Sequence, residues 1–276
     1  MNFPGLDRIL LAALEEDIGT GDVTTESCVP AEAKSHGEFI AKEDGVICGL
    51  EIAQRVFALL DDKIVFEAVK KDGDQVSAGE VIALVDGPSR SILTGERVAL
   101  NFMQRLSGTA TATAKAVSEV SGTGTKIVDT RKSTPGMRVL EKYAVRMGGG
   151  YNHRFNLADG VLIKDNHIAA AGGIAQAVAQ ARANAPHVMK IEVETEYLGQ
   201  VGQALEAGAD VIMLDNMDYE VMSQAVRLVD GKAITEASGN MGDKNLRQVA
   251  ETGVDFISIG ALTHSVRALD ISLKFR

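Results

Sequence analysis

The feature that most constrains the fold is the alternation of strand-like and helix-like segments after Gly122. The strand-like segments are TKIVDT, GVLIKD, MKIEVE, DVIML, KAITEAS and VDFISIG. Continuous Val, Ile and Leu runs that alternate with helices indicate a parallel sheet covered by helices. Because six units are too few for an eight-stranded barrel, the pattern predicts an α/β fold with an open or small six-stranded, TIM-like parallel barrel.

A doubly wound open sheet is the alternative fold for this part of the chain. The dinucleotide-binding version of that fold has a GxGxxG motif after its first strand. The sequence has no such motif there, which weakens this alternative.

The N-terminal part has a different pattern, with short strand-like and helix-like segments and a long helical stretch from Ser89 to Val120. The segment KDGDQVSAGEVIALVDG contains turns at Asp72-Gly73 and Ala78-Gly79 and predicts a hairpin-rich module. It resembles half of a biotinyl or lipoyl carrier domain, but no lysine stands at a hairpin tip, which weighs against a carrier or binding module. We predict one domain over residues 1–106, joined by residues 267–276, and a barrel domain over 107–266.

Composition excludes several classes of partner. The net charge of −10 argues against nucleic acid, because a phosphate backbone requires a basic face. The first residues lack the features of a signal peptide, and no apolar stretch approaches the ~20 residues that span a bilayer. Cys28 and Cys48 have no CxxC spacing, and we expect reduced thiols. These features predict a cytoplasmic protein without a membrane or nucleic-acid partner.

This acidic chain nevertheless has a basic central segment between Asp129 and Asp165. Its cations are Arg131, Lys132, Arg138, Lys142, Arg146, Arg154 and Lys164. Such a segment indicates a site for a small anion. Lys142 and Arg146, spaced i, i+4, are explained equally well as solvated charges on a helix.

Each strand-like segment ends in polar or glycine-containing sequence. In chain order these ends are Asp129-Thr130-Arg131-Lys132, Lys164-Asp165-Asn166-His167, Glu192 with Glu194, Asp215-Asn216, Glu236 with Ser238-Gly239-Asn240, and Gly260. The carboxyl ends of parallel strands open on one face, where active sites are built. The sequence therefore predicts a functional cleft at this face.

The residue types at these ends, together with Arg154 of the basic segment, suit a polyanionic substrate with a metal ion. Arg131, Arg154 and Lys164 can bind carboxylates, and arginine offers a planar bidentate fork. Glu194 and Asp215 supply the oxygen ligands that Mg²⁺ prefers.

Two glycine turns at the last strands add a phosphate-binding element. Ser238-Gly239 and Ile259-Gly260 each lead into a helix-like segment, whose backbone N–H groups can bind a phosphate. The last two loops of α/β barrels often do this.

Several motifs together resemble one family. DTRKSTPGMR, GGGYNHRFNLADGVLIKDNHI, EVETE, VIMLDNM, ASGNM and ISIGALTHS follow one another in the order found in quinolinate phosphoribosyltransferases, and EDIGTGDVTTE, GVICGL and GERVALNFMQRLSGTAT precede them. The resemblance covers nearly the whole chain, and DTRK with NHR and LIKDNH is its most specific part. Ser133-Thr134 stands where the family commonly has Thr-Leu, and Asp165 replaces a common Glu.

The resemblance implies an N-terminal α/β sandwich, a C-terminal α/β barrel, and a homodimer or higher homo-oligomer with shared active sites. It implies transfer of phosphoribosyl from phosphoribosyl pyrophosphate to quinolinate, with release of pyrophosphate and carbon dioxide. The implied quinolinate-binding residues are Arg97, Thr130, Arg131, Lys132, His153, Arg154 and Lys164. Those for phosphoribosyl pyrophosphate are Glu194, Asp215, Ser238, Gly239, Asn240, Gly260, Ala261 and Leu262. Lys132, Glu194 and Asp215 are the implied catalytic residues, and the two acids bind Mg²⁺ directly or through water.

Some alternatives stay open at this point. A lysine at a strand end is also typical of Schiff-base aldolases, with Lys164 as the candidate. His153 is either a general acid or a packed, non-reacting residue. Glu192 rivals Glu194, because residues two apart on a strand share one side.

Overall fold

The computed structural model describes residues 3–276 and divides the chain into two compact units. The first unit contains the residues up to Ala112 together with Arg146–Gly149 and Val266–Arg276. The second contains Thr113–Val145 and Gly150–Ser265. Within the described range, no helix combines the length and the apolar character that a membrane crossing requires.

A four-stranded antiparallel sheet forms the centre of the first unit. Its strands, in spatial order, are β12 (Ile271–Phe275), β1 (Lys34–Ala41), β5 (Val81–Pro88) and β3 (Val65–Ala68). A separate two-stranded sheet pairs β2 (Gly45–Val46) with β4 (Gln75–Val76). The helices are α1 (Leu6–Ile18), α2 (Val23–Cys28), α3 (Leu50–Leu60) and the part of α4 (Ser89–Glu119) that ends at Ala112.

Helix α3 packs on this sheet through an aromatic cluster. The ring centroid of Phe57 on α3 lies 6.1 Å from that of Phe39 on β1 and 6.0 Å from that of Phe66 on β3, and the last two centroids are 5.6 Å apart. Phe39 and Phe57 are fully buried. The spacing of the apolar residues on α3 produces one hydrophobic face, which explains why this segment is a helix that lies against a sheet.

The segment around Asp72 and Ala78 does not form the predicted hairpins. Gly73 and Gly79 have φ values of +96° and +93°, so both turns exist. However, β4 pairs with β2, while β5 pairs with β1 and β3. Strand β5 pairs with two strands that are distant in the sequence, and much of it is buried. These contacts outweigh the local turn at Gly79, which would otherwise pair β5 with β4.

The second unit is built on a six-stranded parallel sheet. In chain order the strands are β6 (Lys126–Val128), β7 (Val161–Ile163), β8 (Ile191–Thr195), β9 (Val211–Asp215), β10 (Ile234–Ser238) and β11 (Phe256–Ser258). The helices are α5 (Arg138–Met147), α6 (Asp165–Ala171), α7 (Ile174–Asn184), α8 (Leu198–Glu206), α9 (Tyr219–Val229), α10 (Leu246–Glu251) and α11 (Ala261–His264), with a 3₁₀ turn at Met241–Asp243.

The strand order in space is β6-β11-β10-β9-β8-β7. Strands β7 to β11 are neighbours in the same order as in the chain, and β6 lies next to β11. In a doubly wound sheet, by contrast, the strand order reverses at a switch point. The six-stranded α/β barrel prediction is therefore confirmed. Within the described residues, β6 and β7 form no ladder with each other, and Val128 bridges to Tyr151 instead, so the barrel is open at this place.

Local sequence explains why the helices begin where they do. In α9, the Asp218 side chain accepts the Val221 N–H at 2.8 Å and so caps the helix. Met222, Ala225 and Val229 then form the buried stripe of that helix. Each helix of this kind returns the chain to the start of the next strand, so that all six carboxyl ends meet at one face.

Candidate active site

A cavity of about 470 Å³ lies at the carboxyl ends of the six strands. Most of the residues that the sequence assigned to the site line it: Thr130, Arg131, Lys132, His153, Arg154, Lys164, Glu194, Asp215, Ser238, Gly239 and Asn240. Residues to which the sequence assigned no role also line it: Leu162, Met213, Asn216, Glu236 and Ser258. The cavity is therefore rich in both cations and carboxylates.

Two guanidinium groups contain hydrogen-bond donors that lack an acceptor. The Nε atoms of Arg131 and Arg154 are buried and have no hydrogen-bond partner among the described residues. Arg154 is held by a bond from its Nη1 to the Gly160 carbonyl at 2.8 Å. Burial and the neighbouring Arg131 lower the pKa of Arg154. A buried donor without an acceptor is costly, so an anionic ligand would stabilise this arrangement.

Lys164 and Glu194 form an ion pair in the cavity. The Lys164 Nζ donates to Glu194 Oε2 at 2.5 Å, and the lysine side chain is 46% exposed. A Schiff-base lysine is usually activated by desolvation or by a neighbouring cation. The exposure and the carboxylate partner favour a charged, binding lysine over a Schiff-base nucleophile.

Beneath these cations lies a fully buried ion pair of Asp129 and Lys142. Asp129 also accepts the Asn152 Nδ2 at 2.6 Å and the His153 backbone N–H at 2.9 Å, while Lys142 Nζ donates to the His153 carbonyl at 2.9 Å. Burial raises the pKa of Asp129 and lowers that of Lys142, and their mutual contact opposes both shifts. The pair thus fixes the backbone of the segment that carries His153 and Arg154.

The interpretation of Lys142 as a solvated helix charge is therefore wrong. Its i, i+4 spacing from Arg146 suits an exposed helix face, but the side chain has 0% exposure. Helix α5 also buries Leu140, Ala144 and Val145. Asp129, distant along the chain, supplies the charge that makes this burial tolerable.

Both ring nitrogens of His153 are engaged. Nδ1 accepts the Arg154 backbone N–H at 2.9 Å, and Nε2 lies 3.0 Å from Glu192 Oε2 and 3.7 Å from Glu236 Oε1. Burial lowers the pKa of His153, but the two carboxylates raise it by more. The additional proton would have to occupy Nδ1, which faces a donor, so the geometry favours the neutral ring with its proton on Nε2.

Glu236 on β10 is a further cavity residue that sequence reasoning named at a strand end without assigning it a role. Its side chain is 6% exposed, and its Oε1 has no hydrogen-bond partner in the described part of the chain. Burial and the nearby Glu192 carboxylate raise the pKa of Glu236 to about 7. Position in the strand was the only available signal, since Glu236 and Ser238 lie on the same side of β10.

The segment after β10 brings backbone close to the cavity. Gly239 has φ +89°, and a Cβ at this position would lie 2.7 Å from the Asn216 backbone nitrogen. Asn216 and Asn240 also have positive φ values, of 55° and 51°. Both conformation and space therefore require glycine at 239, next to Ser238 and Asn240, which also line the cavity.

The remaining predicted residues lie elsewhere. Gly260, Ala261 and Leu262 are not among the described residues that line the cavity, although a Cβ at Gly260 would lie 3.2 Å from Lys132 Cδ. The Leu262 side chain belongs to the hydrophobic core. Arg97 lies on α4 in the first unit, and its side chain is exposed.

The cavity combines buried guanidinium Nε donors that lack partners with acidic side chains, and it lies at the carboxyl ends of a parallel α/β barrel. These features define an enzyme that binds an anionic substrate. Residues 109–274 match the family model "Quinolinate phosphoribosyl transferase, C-terminal domain", and residues 22–107 match the corresponding N-terminal domain. The chain belongs to the quinolinate phosphoribosyltransferase family.

Individual relatives agree with this assignment. The chain is 49% identical over 273 residues to a "Probable nicotinate-nucleotide pyrophosphorylase [carboxylating]" of Bacillus subtilis, covering 99% of this chain and 94% of that one. It is 44% identical to "Quinolinate phosphoribosyltransferase [decarboxylating] 1b" of Nicotiana tabacum, covering 98% and 82%. The solved structure of NadC from Streptococcus pyogenes superposes with a TM-score of 0.93 at 44% identity, covering 100% and 99%.

Proposed function

We propose that this chain transfers phosphoribosyl from phosphoribosyl pyrophosphate to quinolinate and forms nicotinate mononucleotide, pyrophosphate and carbon dioxide. The observation that carries the proposal is the pair of buried Nε donors of Arg131 and Arg154, which lack acceptors in a cavity that also contains Lys132 and Lys164. A rigid ring with two adjacent carboxylates supplies the missing acceptors. The names of the relatives point to the same reaction.

The quinolinate site consists, in this proposal, of the four cations and the Thr130 hydroxyl. Arg131 and Arg154 bind one carboxylate group each through charge-assisted hydrogen bonds. Lys132 and Lys164 neutralise the remaining negative charge. His153 contributes by holding the backbone N–H of Arg154 and not by binding substrate, because both of its ring nitrogens are engaged.

Phosphoribosyl pyrophosphate occupies the other side of the same cavity. Its phosphates meet the backbone at Ser238, Gly239 and Asn240, where glycine permits close approach. Gly260, Ala261 and Leu262 would contribute backbone N–H groups, since the Gly260 backbone lies beside Lys132.

The acidic residues of the cavity fit a magnesium ion bound together with the phosphates. Mg²⁺ usually takes one or two carboxylates and completes its coordination with water and phosphate oxygens. Glu194 and Asp215 are lining carboxylates at the ends of neighbouring strands, and we assign them this role. When bound, the ion would neutralise charge on the departing pyrophosphate.

The chain's own groups then account for the chemistry. The bond from C1 of the ribose to pyrophosphate weakens ahead of attack by the ring nitrogen, which leaves positive charge on the ribose. The Glu194 and Asp215 carboxylates stabilise that charge, and Lys132 stabilises the leaving group. Once the ring nitrogen is quaternary, the ring can accept the electron pair released when the 2-carboxylate departs. Arg131 and Arg154 keep the ring oriented throughout.

A product assay tests the reaction. The purified chain is incubated with quinolinate, phosphoribosyl pyrophosphate and Mg²⁺, and we expect nicotinate mononucleotide and carbon dioxide in equal amounts. Arg131→Ala should abolish product formation, whereas Arg227→Ala, a change at an exposed position of α9, should not. No product from the unaltered chain would refute the proposed function. Product that forms equally with Arg131→Ala would refute the role of Arg131 in binding quinolinate.

Arg97 enters this proposal through a second subunit. It resembles a substrate-binding residue of the family but lies in the first unit, so we propose a twofold dimer in which each subunit supplies Arg97 to the partner's cavity. Mixing Arg97→Ala chains with Arg131→Ala chains tests this by complementation. In a mixed dimer one site carries both changes and the other carries neither, so activity returns to at most about half of that of the unaltered dimer. Subunit exchange without recovered activity would exclude the shared site.

A further inference from the structure

The proposed reaction requires one more group than the roles above provide. When the bond between C2 and its carboxylate breaks, carbon dioxide leaves and the electron pair stays on C2 of the pyridinium ring. That carbon must then receive a proton to give nicotinate mononucleotide. The donor has to lie in the cavity, because the ring is held there while the bond breaks.

The cationic groups of the cavity are poor candidates. His153 Nδ1 accepts the Arg154 N–H, and the Nε2 proton points to Glu192. The Lys164 ammonium already donates to Glu194 Oε2 at 2.5 Å, so it is directed to a carboxylate and not to the ring. Lys132 is assigned to the departing pyrophosphate in the proposed reaction.

Glu236 differs from the other two acids that line the cavity. Glu194 has the Lys164 ammonium as a partner, and Asp215 accepts the Asn216 Nδ2 at 2.8 Å. Glu236 Oε1 is buried and accepts no hydrogen bond from any described residue. The His153 ring nitrogen Nε2 lies 3.7 Å from Glu236 Oε1, but its proton is directed to Glu192 at 3.0 Å.

The groups around Glu236 favour its uncharged form. Burial raises its pKa most, Glu192 from β8 raises it further, and Asp129 after β6 adds to this effect. His153 and the Ser258 hydroxyl on β11 act in the opposite direction, and the resulting pKa is about 7. A carboxylic acid that is protonated near neutral pH can transfer a proton and be reprotonated by solvent.

We propose that Glu236 is the acid that protonates C2 of the bound ring when the 2-carboxylate leaves as carbon dioxide. The inference rests on the proposed function. The bond between C2 and the carboxylate breaks, its electron pair takes the proton from the Glu236 carboxyl, and a C–H bond forms. Glu236 is left as a carboxylate beside Glu192, an arrangement that favours its reprotonation before the next turnover.

The test compares Glu236→Gln with the unaltered chain. Glutamine keeps the shape and the polarity of the side chain but is not an acid. We expect kcat for quinolinate to fall by roughly 100-fold or more, the effect of losing a positioned general acid, while KM stays within about threefold. Glu206→Gln, an exposed change on α8, is the matched control and should leave both constants unchanged.

A single-turnover experiment separates this role from a structural one. Without its acid, the ring can retain or recapture the carboxylate, so pyrophosphate release should precede carbon dioxide release, and quinolinate mononucleotide should accumulate. In the unaltered chain the two releases should coincide. A Glu236→Gln chain with unchanged kcat, or one in which pyrophosphate release slows as much as carbon dioxide release, would overturn the assignment.

Two further measurements keep the test decisive. If Glu236→Gln does not fold, as judged by circular dichroism, Glu236→Asp keeps the acid with a shorter reach and should slow carbon dioxide release but not pyrophosphate release. Equal slowing of both steps in the Asp variant would count against the proposal. Failure of the unaltered chain to form nicotinate mononucleotide would refute the proposed function instead, so the two failures are distinguishable.

Discussion

The second unit contains two groups of charges that differ in how they are satisfied. The cation group, which we define as Arg131, Lys132, Arg154 and Lys164, lines the cavity, and its two arginines keep unused donors. The buried layer, defined as Asp129, Lys142, His153, Glu192 and Glu236, lies largely out of solvent and consists mostly of mutual partners. The contrast shows that the sequence position of a charged residue does not reveal whether the side chain binds a ligand or stabilises the fold. Unused hydrogen-bonding capacity, as in the two arginines and at Glu236 Oε1, indicates contact with the ligand, whereas a satisfied buried pair such as Asp129 and Lys142 indicates positioning.

The largest expected effect comes from breaking the buried layer at Lys142. Lys142→Met leaves the Asp129 carboxylate buried without its cation, which costs about 3–5 kcal/mol of folding free energy. The His153 carbonyl also loses a donor, so activity should fall as well. Chemical denaturation measures the free energy of unfolding. Adding Asp129→Asn removes the orphaned charge and should recover part of the loss; no recovery would mean that charge is not the cause.

Changing the cation group should affect catalysis and leave folding nearly intact. Arg154→Lys keeps the charge but loses the planar fork, and the loss of a charge-assisted contact of about 1.5–3 kcal/mol lowers kcat/KM for quinolinate by roughly 10- to 100-fold. Arg227→Lys on the exposed face of α9 is the matched control. Unchanged kinetics for Arg154→Lys would show that another cation clamps the substrate.

A comparison of two substrates, quinolinate and nicotinate, tests the cation group without a change to the protein. Nicotinate carries one carboxylate, so part of the cation group would face no anion. We expect kcat/KM for nicotinate to be at least about tenfold lower than for quinolinate, since one charge-assisted contact is lost. Equal use of both substrates in a steady-state assay would contradict a cation group built for a dicarboxylate.

The smallest effect is expected for an exposed ion pair of the same unit. Arg247 and Glu251 on α10 lie 2.8 Å apart, with side chains 51% and 57% exposed. Arg247→Ala should cost no more than about 1 kcal/mol, because solvent already screens the pair. The Arg247 side chain also donates to the Ser121 carbonyl at 2.8 Å. A larger decrease in the free energy of unfolding, measured by chemical denaturation, would indicate that this hydrogen bond contributes.

The sequence by itself determined the barrel and the position of the cavity. Strands buried on both faces have continuous apolar runs, and each of the six runs became a parallel strand. Because their carboxyl ends meet at one face, Arg131, Lys164, Glu194 and Asp215 could be placed together before any contact was known. Arg154 was found from the basic segment, and the motifs of the family added His153; both lie between strands and follow no periodicity.

Only the tertiary structure decided which charges are buried and what each one faces. Spacing made Lys142 resemble a surface lysine and could not separate Glu192 from Glu194, which share one side of β8. Packing separates them: Glu194 meets Lys164, whereas Glu192 meets His153, 39 residues away in the chain. The environment of Glu236 likewise depends on β8, the segment after β6, and β11. A pKa or an orphaned hydrogen bond is a property of such distant neighbours, so no local pattern encodes it.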